Sequence, residues 1–168
     1  LISNGDNQKL RLNIKKKEQI LLLNPVSAEY NTVRRSLLTS LLKNIQYNRS
    51  EEKPFRIFEV GDVIIPDKSQ ETLSRRELHL ACIVHSDSSD FSEIRSIFDH
   101  FTRTYGIFDS ITIRPEENES FTPGRIGAIY YKKKKIGMIG EIHPQVIQNF
   151  ELEYPTAGFE INLDPFVQ

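Results

Sequence analysis

At 168 residues, with 38% hydrophobic and 27% charged side chains, the chain is long enough to bury one hydrophobic core and too apolar to be disordered. Its 22 Lys and Arg against 23 Asp and Glu give a formal net charge of −1, which removes the basic excess of a dedicated nucleic-acid binder but not a local basic patch. The single cysteine, Cys82, excludes an internal disulfide, and no stretch approaches the ~20 apolar residues that span a bilayer.

Cys82 sits in the apolar run Leu80, Ala81, Ile83, Val84, which reads as an inert buried thiol in a reducing compartment. The opening Leu-Ile-Ser-Asn-Gly-Asp has neither a signal-peptide pattern nor an initiator Met. The expectation is a cytoplasmic, membrane-free piece of a longer protein, folded as one domain over residues 1–168.

Alternation of Leu10, Leu12 and Ile14 with polar residues predicts a first strand, and Lys15-Lys16-Lys17 a solvated turn. Ile20 to Leu23 completes a two-stranded ribbon, so residues 1–19 read as a peripheral ribbon or extension. Pro25, with no amide hydrogen to give a ladder, ends it. Ser36 is a good N-cap for a helix carrying Leu37, Leu38, Leu41, Leu42 and Ile45 on one face. Pro54 starts a strand to about Ile65, with Phe55, Ile57, Val63 and Ile65 on one side. A polar loop over 66–76 leads to an antiparallel partner, Glu77 to His85.

Asp90 and Glu93 have capping-box spacing and Gly106 suits a helix C′ position. Between them Phe91, Ile94, Ile97, Phe98, Phe101 and Tyr105 form a core-facing stripe. Strands are predicted near 110–114, 125–131 and 135–140, the last two joined by an exposed tip at Lys132-Lys133-Lys134. A short helix from Pro144 to about Phe150 and a strand from Gly158 to Leu163 follow. Strands outnumber helices and hairpins join several of them, so the fold class is α+β, with a mostly antiparallel sheet flanked by helices.

No catalytic constellation emerges from these residues. His79 and His85 share a strand face, but six residues separate them by roughly 20 Å, too far to share a metal. His100 lies on the second helix and His143 in a Gly-Glu-Ile-His-Pro turn, so no zinc-ligand spacing exists. Ser86, Ser88 and Ser89 read as turn residues before a helix. There is no G-x-S-x-G elbow and no phosphate-binding G-x-x-x-x-G-K-[ST] loop. Ile136-Gly137-Met138-Ile139-Gly140 has the I-G-x-x-G of a KH domain, yet its variable pair is apolar and its flanks read as strand.

Family-level motifs say more. Asn24-Pro25-x-Ser27-x-Glu29, then Arg34-x-Ser36-Leu37-Leu38-x-x-Leu41-Leu42, is followed by Phe58-Glu59-Val60-Gly61-Asp62-Val63. Next come Phe121-Thr122-Pro123-Gly124-Arg125 with Ala128, then Gly137-Met138-Ile139-Gly140-Glu141-Ile142-His143-Pro144. Phe150-Glu151-Leu152 leads to Phe159-Glu160-Ile161. In this order, over about residues 20 to 166, the chain resembles the β subunit of phenylalanyl-tRNA synthetase, in its archaeal and eukaryotic form.

That resemblance implies a class II aminoacyl-tRNA synthetase catalytic-like fold without its catalytic residues. In working members a motif 2 strand ends F-R-x-E, and its arginine holds the ATP α-phosphate. Here those slots read Ile64-Ile65-Pro66-Asp67, and an aliphatic Ile65 cannot neutralise a phosphate. The strand Ala157 to Leu163, at the place of the third class II signature, is followed by no arginine. Motif 1 is represented at most by its closing strand and Pro25. The implied assembly is an (αβ)2 enzyme that charges tRNA with phenylalanine using ATP and Mg, with neither cofactor nor metal held in this domain and its catalytic module in the α subunit.

Within that picture, Arg34, Arg35, Arg56 and Glu59 are candidates for structural ion pairs near a sheet edge. Pro123, Gly124, Arg125, Glu141, His143 and Pro144 are candidates for a docking surface toward the α subunit. The alternatives left open are a module binding RNA or a small molecule in a vacant class II pocket, and an independent enzyme.

Overall fold

The computed structural model describes residues 3–12, 20–21, 24–25 and 31–166. Its frame is a six-stranded antiparallel sheet. Strands β1 (Phe55–Pro66), β2 (Ser74–His85), β3 (Ile111–Pro115), β4 (Phe121–Tyr131), β5 (Lys134–Ile142) and β6 (Thr156–Asn162) lie in the order β1-β2-β6-β5-β4-β3. Period-two alternation sends odd residues of β2, such as Ala81 and Ile83, to one face and Leu80, Cys82 and Val84 to the other. Each face carries its own core and its own helix.

The first face is covered by α2 (Leu37–Tyr47), whose stripe of Leu37, Leu38, Leu41, Leu42 and Ile45 is wholly buried. Ser36 starts the helix by accepting the Leu38 amide at 3.1 Å, a cap worth about 1 kcal/mol. The second face is covered by α3 (Phe91–Thr104), capped by Asp90, which accepts the Glu93 amide at 2.8 Å. Ile94 and Phe98 are buried there, with Phe91, Ile97 and Phe101 packed around them. Phe98 meets Phe159 edge-on with centroids 5.0 Å apart, adding about 0.5–1.5 kcal/mol to its area burial. Tyr105, expected on the stripe, is half exposed where the helix ends, and Gly106 takes the left-handed φ of +76° that stops it.

Among the described residues, the N-terminal segment opens on a helix rather than on a strand. Residues Asn4–Lys9 are a helix, α1, and Leu10 is its C-cap rather than a strand residue. Ser3 and Asp6 make a reciprocal capping box, each side chain accepting the other's amide at 3.1 Å, and this local chemistry overrides the Leu10/Leu12 alternation. The segment is not peripheral either. Leu10 is 1% exposed in the α2-side core, and Lys43 of α2 reaches Asp6 at 2.8 Å. Of the second predicted arm, Leu21 forms an isolated bridge with Thr32; Ile14 to Lys17 and Leu22 to Leu23 lie outside the described residues.

The hairpin between β1 and β2 is longer than its sequence suggested, since pairing runs to Pro66 opposite Ser74. The tip expected at Lys132–Lys134 is a tight turn, with Lys132 at φ +56°. The Phe121-to-Arg125 turn is an irregularity inside β4: pairing jumps from Phe121↔Ile142 to Ile126↔Gly140, so Thr122–Arg125 loop out, with Gly124 at φ +75°. The short helix α4 (Pro144–Asn149) follows β5 as predicted.

Candidate functional site

The position at which the resemblance leads one to expect a phosphate-binding arginine is Ile65, at the end of β1. Ile65 there packs against the α2-side core, opposite Arg75 of β2. Arg75 is the cation in register with Ile65, and two carboxylates hold it: Asp67 at 3.2 Å and Glu77 at 2.6 Å. Hydrogen bonding to Glu77, then to Asp67, raises the Arg75 pKa further. Bonds from Ser69, then Arg75, hold the Asp67 carboxyl below its usual range.

Arg34 seals the outer edge of β1. Its Nε donates to the Asp62 carbonyl at 2.8 Å, its carbonyl accepts the Ile64 amide at 3.1 Å, and Nη1 pairs with Glu59. A Cβ on Gly61 would stand 2.4 Å from the guanidinium, which explains glycine in the Phe-Glu-Val-Gly-Asp-Val segment. Arg35 lines a cavity of about 160 Å3 with Leu12, Leu38, Phe121, Met138 and Glu160 among its walls.

Arg56 pairs not with Glu59 but with Glu93 of α3, at 2.8 Å. Arg125, at the end of the β4 loop-out, pairs with Glu141 at 2.9 Å, and Glu141 also accepts the Phe91 amide at 3.0 Å. The first turn of α3 is therefore where Arg56 from β1 and the Arg125–Glu141 pair from β4 and β5 converge on the same face of the sheet. Pro123 and Gly124 are exposed at the rim of the loop-out. His143 is the N-cap of α4, its Nδ1 accepting the Gln145 amide at 3.0 Å, with Pro144 at the first helical position. Slight burial and then the charge of Arg11 lower its pKa. The structure thus gathers Pro123, Gly124, Arg125, Glu141, His143 and Pro144 at one end of β4 and β5, pairs Arg34 with Glu59 on β1, and sets Arg35 on the cavity beside Glu160.

Sequence reading missed a buried cluster. Glu160, in the centre of β6, accepts Ser36 Oγ at 2.5 Å and the Leu37 and Leu38 amides at 3.1 and 3.3 Å. His79 contacts it through Nδ1 at 2.6 Å and contacts Glu77 through Nε2 at 3.0 Å. Burial alone would lower the His79 pKa; the hydrogen bonds and charges of Glu160 and Glu77 together raise it. Burial pushes Glu77 up, but His79 and Arg75 outweigh it and bring it below the usual range. The available signal was a lone Glu in the apolar run Ala157 to Leu163.

His85 is 2% exposed and meets Thr156 Oγ1 at 2.8 Å, far from that cluster along β2. Among the described residues no group of three or more His, Cys, Asp or Glu could hold a metal ion, and no helix is long and apolar enough to cross a membrane. Gly137 and Gly140 lie within β5, where Cβ atoms would strike the Glu160 and Arg125 carbonyls at 2.0 and 2.7 Å. Close backbone approach, not a KH loop between helices, is what these glycines serve.

An α+β domain built on a six-stranded antiparallel sheet is the class of object on hand. The chain belongs to the family of the phenylalanyl tRNA synthetase beta chain CLM domain, whose profile matches residues 1–163. It is 41% identical over 165 residues to the phenylalanine–tRNA ligase beta subunit of Thermococcus sibiricus, covering 98% of this chain and 29% of that one. With the Pyrococcus abyssi beta subunit it shares 37% over 167 residues (99% and 30%), and with that of Methanocaldococcus jannaschii 35% over 164 residues (98% and 30%). The chain thus spans about three tenths of the length of these relatives.

Proposed function

We propose that the chain is the catalytically silent module of a phenylalanine–tRNA ligase beta subunit, a class II synthetase-like fold kept to support a catalytic α subunit. The observation that carries this reading is Ile65. A transition state that gathers charge on phosphate oxygens needs a cation or metal aimed at it. Ile65 is a partly buried apolar side chain packed against the core, and Arg75 across the ladder is neutralised by Asp67 and Glu77. ATP and Mg then act in the whole enzyme, an (αβ)2 cytoplasmic assembly that binds tRNA.

Exposed apolar side chains support an interface role. Phe58 and Val60, on the α3-side face of β1, are 72% and 51% exposed beyond the reach of that helix. Pro123, Gly124, Arg125, Glu141, His143 and Pro144 would supply a second contact, in which Arg125 is paired to Glu141 and His143 caps α4.

Pyrophosphate exchange with phenylalanine and ATP tests the silent-module reading. The chain alone should stay at background, while the intact ligase containing it exchanges. Phenylalanine-dependent exchange by the chain alone would overturn it. The cavity beside Arg35 favours one competing reading, a small-molecule or RNA-binding module. Saturable binding of nucleotides or RNA by the chain, without co-purification with α, would select that reading.

A further inference from the structure

Glu77, His79 and Glu160 lie on the α2 side of the sheet, and both imidazole nitrogens face carboxylate oxygens, at 3.0 and 2.6 Å. An ionised carboxylate only accepts hydrogen bonds, and a neutral imidazole has one N–H to give. Two such contacts therefore need either a doubly protonated ring or a protonated glutamate. Glu160 already accepts from Ser36 Oγ and the Leu37 and Leu38 amides. Glu77 accepts from Arg75 at 2.6 Å. The extra proton belongs on the ring.

We propose that His79 is an imidazolium latch that fastens the first turn of α2 to the sheet and releases it as pH rises. With the proton in place, the ring bridges Glu77 to Glu160, and Glu160 holds Ser36, Leu37 and Leu38. When the proton leaves to water, one ring nitrogen becomes an acceptor facing a carboxylate. The two glutamates then stand across an uncharged ring, and the contact to Glu160 is the one whose loss reaches α2.

Other charged groups stand near the ring. Arg75 on β2 is spent on Asp67 and Glu77. Arg35, before α2, lines the same cavity as His79 and Glu160. β1 places Gly61 opposite His79, with the Arg34 guanidinium above it committed to Glu59, and β5 offers the uncharged Gly137 and Met138. A histidine gaining partners on folding stabilises fully below its ordinary pKa, and that contribution is lost as pH rises through the raised value.

The test is a pH titration of the chain labelled with 15N-histidine, with the His79 signal assigned by its loss in His79→Gln. Amide exchange at Leu37 and Leu38 is followed in parallel, corrected for intrinsic base catalysis. Both His79 nitrogens should carry protons at neutral pH, and its midpoint should lie above those of His85 and His143. Glu77→Gln, which leaves the α2 cap intact, should lower that midpoint by about 1 pH unit. Protection at Leu37 and Leu38 should fall through the His79 midpoint, about tenfold for each unit separating the latched and released pKa values. A singly protonated ring at neutral pH would overturn the proposal, and so would amide protection that passes the midpoint unchanged.

Discussion

Arg56 Nε and Nη2 converge on one oxygen of Glu93, at 3.1 and 2.8 Å, so the edge strand of the sheet is tied to the first turn of α3. Glu93 was expected to reach back to its own N-cap; its carboxylate goes to Arg56 instead. Because Arg56 is 61% exposed, the pair is a screened surface interaction. A double-mutant cycle with Arg56→Ala and Glu93→Gln, read by urea unfolding, should give a coupling of about 0.2–1 kcal/mol that shrinks with added salt. A salt-insensitive coupling above about 2 kcal/mol would show that the pair behaves as buried.

Gly137→Ala and Gly106→Ala should separate two reasons for glycine. At Gly137 a Cβ meets the Glu160 carbonyl at 2.0 Å and the Ile161 Cα at 2.8 Å, both backbone, so β5 and β6 must part. The expected loss is about 1–3 kcal/mol or more. Gly106 has open space and only its left-handed φ to strain, costing about 1 kcal/mol. Equal losses, or a reversed order, would contradict the packing assigned to β5 and β6.

His85 predicts acid sensitivity. Burial first, and the charge of Lys53 second, lower its folded pKa below the ordinary value. Between those two pKa values the unfolded chain binds the proton and the folded one does not, so stability rises with pH across that window. The contribution is complete above the ordinary histidine pKa and is lost as pH falls toward the lowered one. His85→Gln should flatten this part of the stability–pH curve; an unchanged slope would assign the acid sensitivity to other groups.

Cys82 should be chemically silent in the folded chain. Burial pushes its thiol up to about 11, leaving almost no thiolate near neutral pH. Labelling with a disulfide reagent should follow global unfolding, reaching full rate only in denaturant. Fast labelling of native protein would mean that the face between β2 and α3 opens locally.

Where local rules and burial agreed, the sequence was legible. Ser36 and Asp90 capped the helices they were expected to cap, and the stripes on α2 and α3 face the cores. Every predicted strand from Phe55 onward exists, with ends displaced by a few residues. The failures came from contacts distant in sequence or from a competing local motif. Alternation at Leu10 and Leu12 lost to the Ser3–Asp6 capping box. The Arg56–Glu93 pair and the His79–Glu160 contact join residues 37 and 81 positions apart, and no periodicity in one strand announces a partner on another. Arg34 with Glu59 was legible because both lay in the segment that carried the family motif.

The place of β6 in the sheet has a consequence for synthesis. It is the last strand in chain order, yet it lies between β2 and β5 and joins the halves β1-β2 and β5-β4-β3. A nascent chain that has not yet delivered Thr156–Asn162 carries two separate hairpin systems. Each has an unpaired edge, at β2 and at β5, and no Glu160 to hold the start of α2. Folding must close across a gap of some seventy residues between β2 and β6, the kind of non-local pairing that slows collapse and exposes strand edges to other chains while it waits.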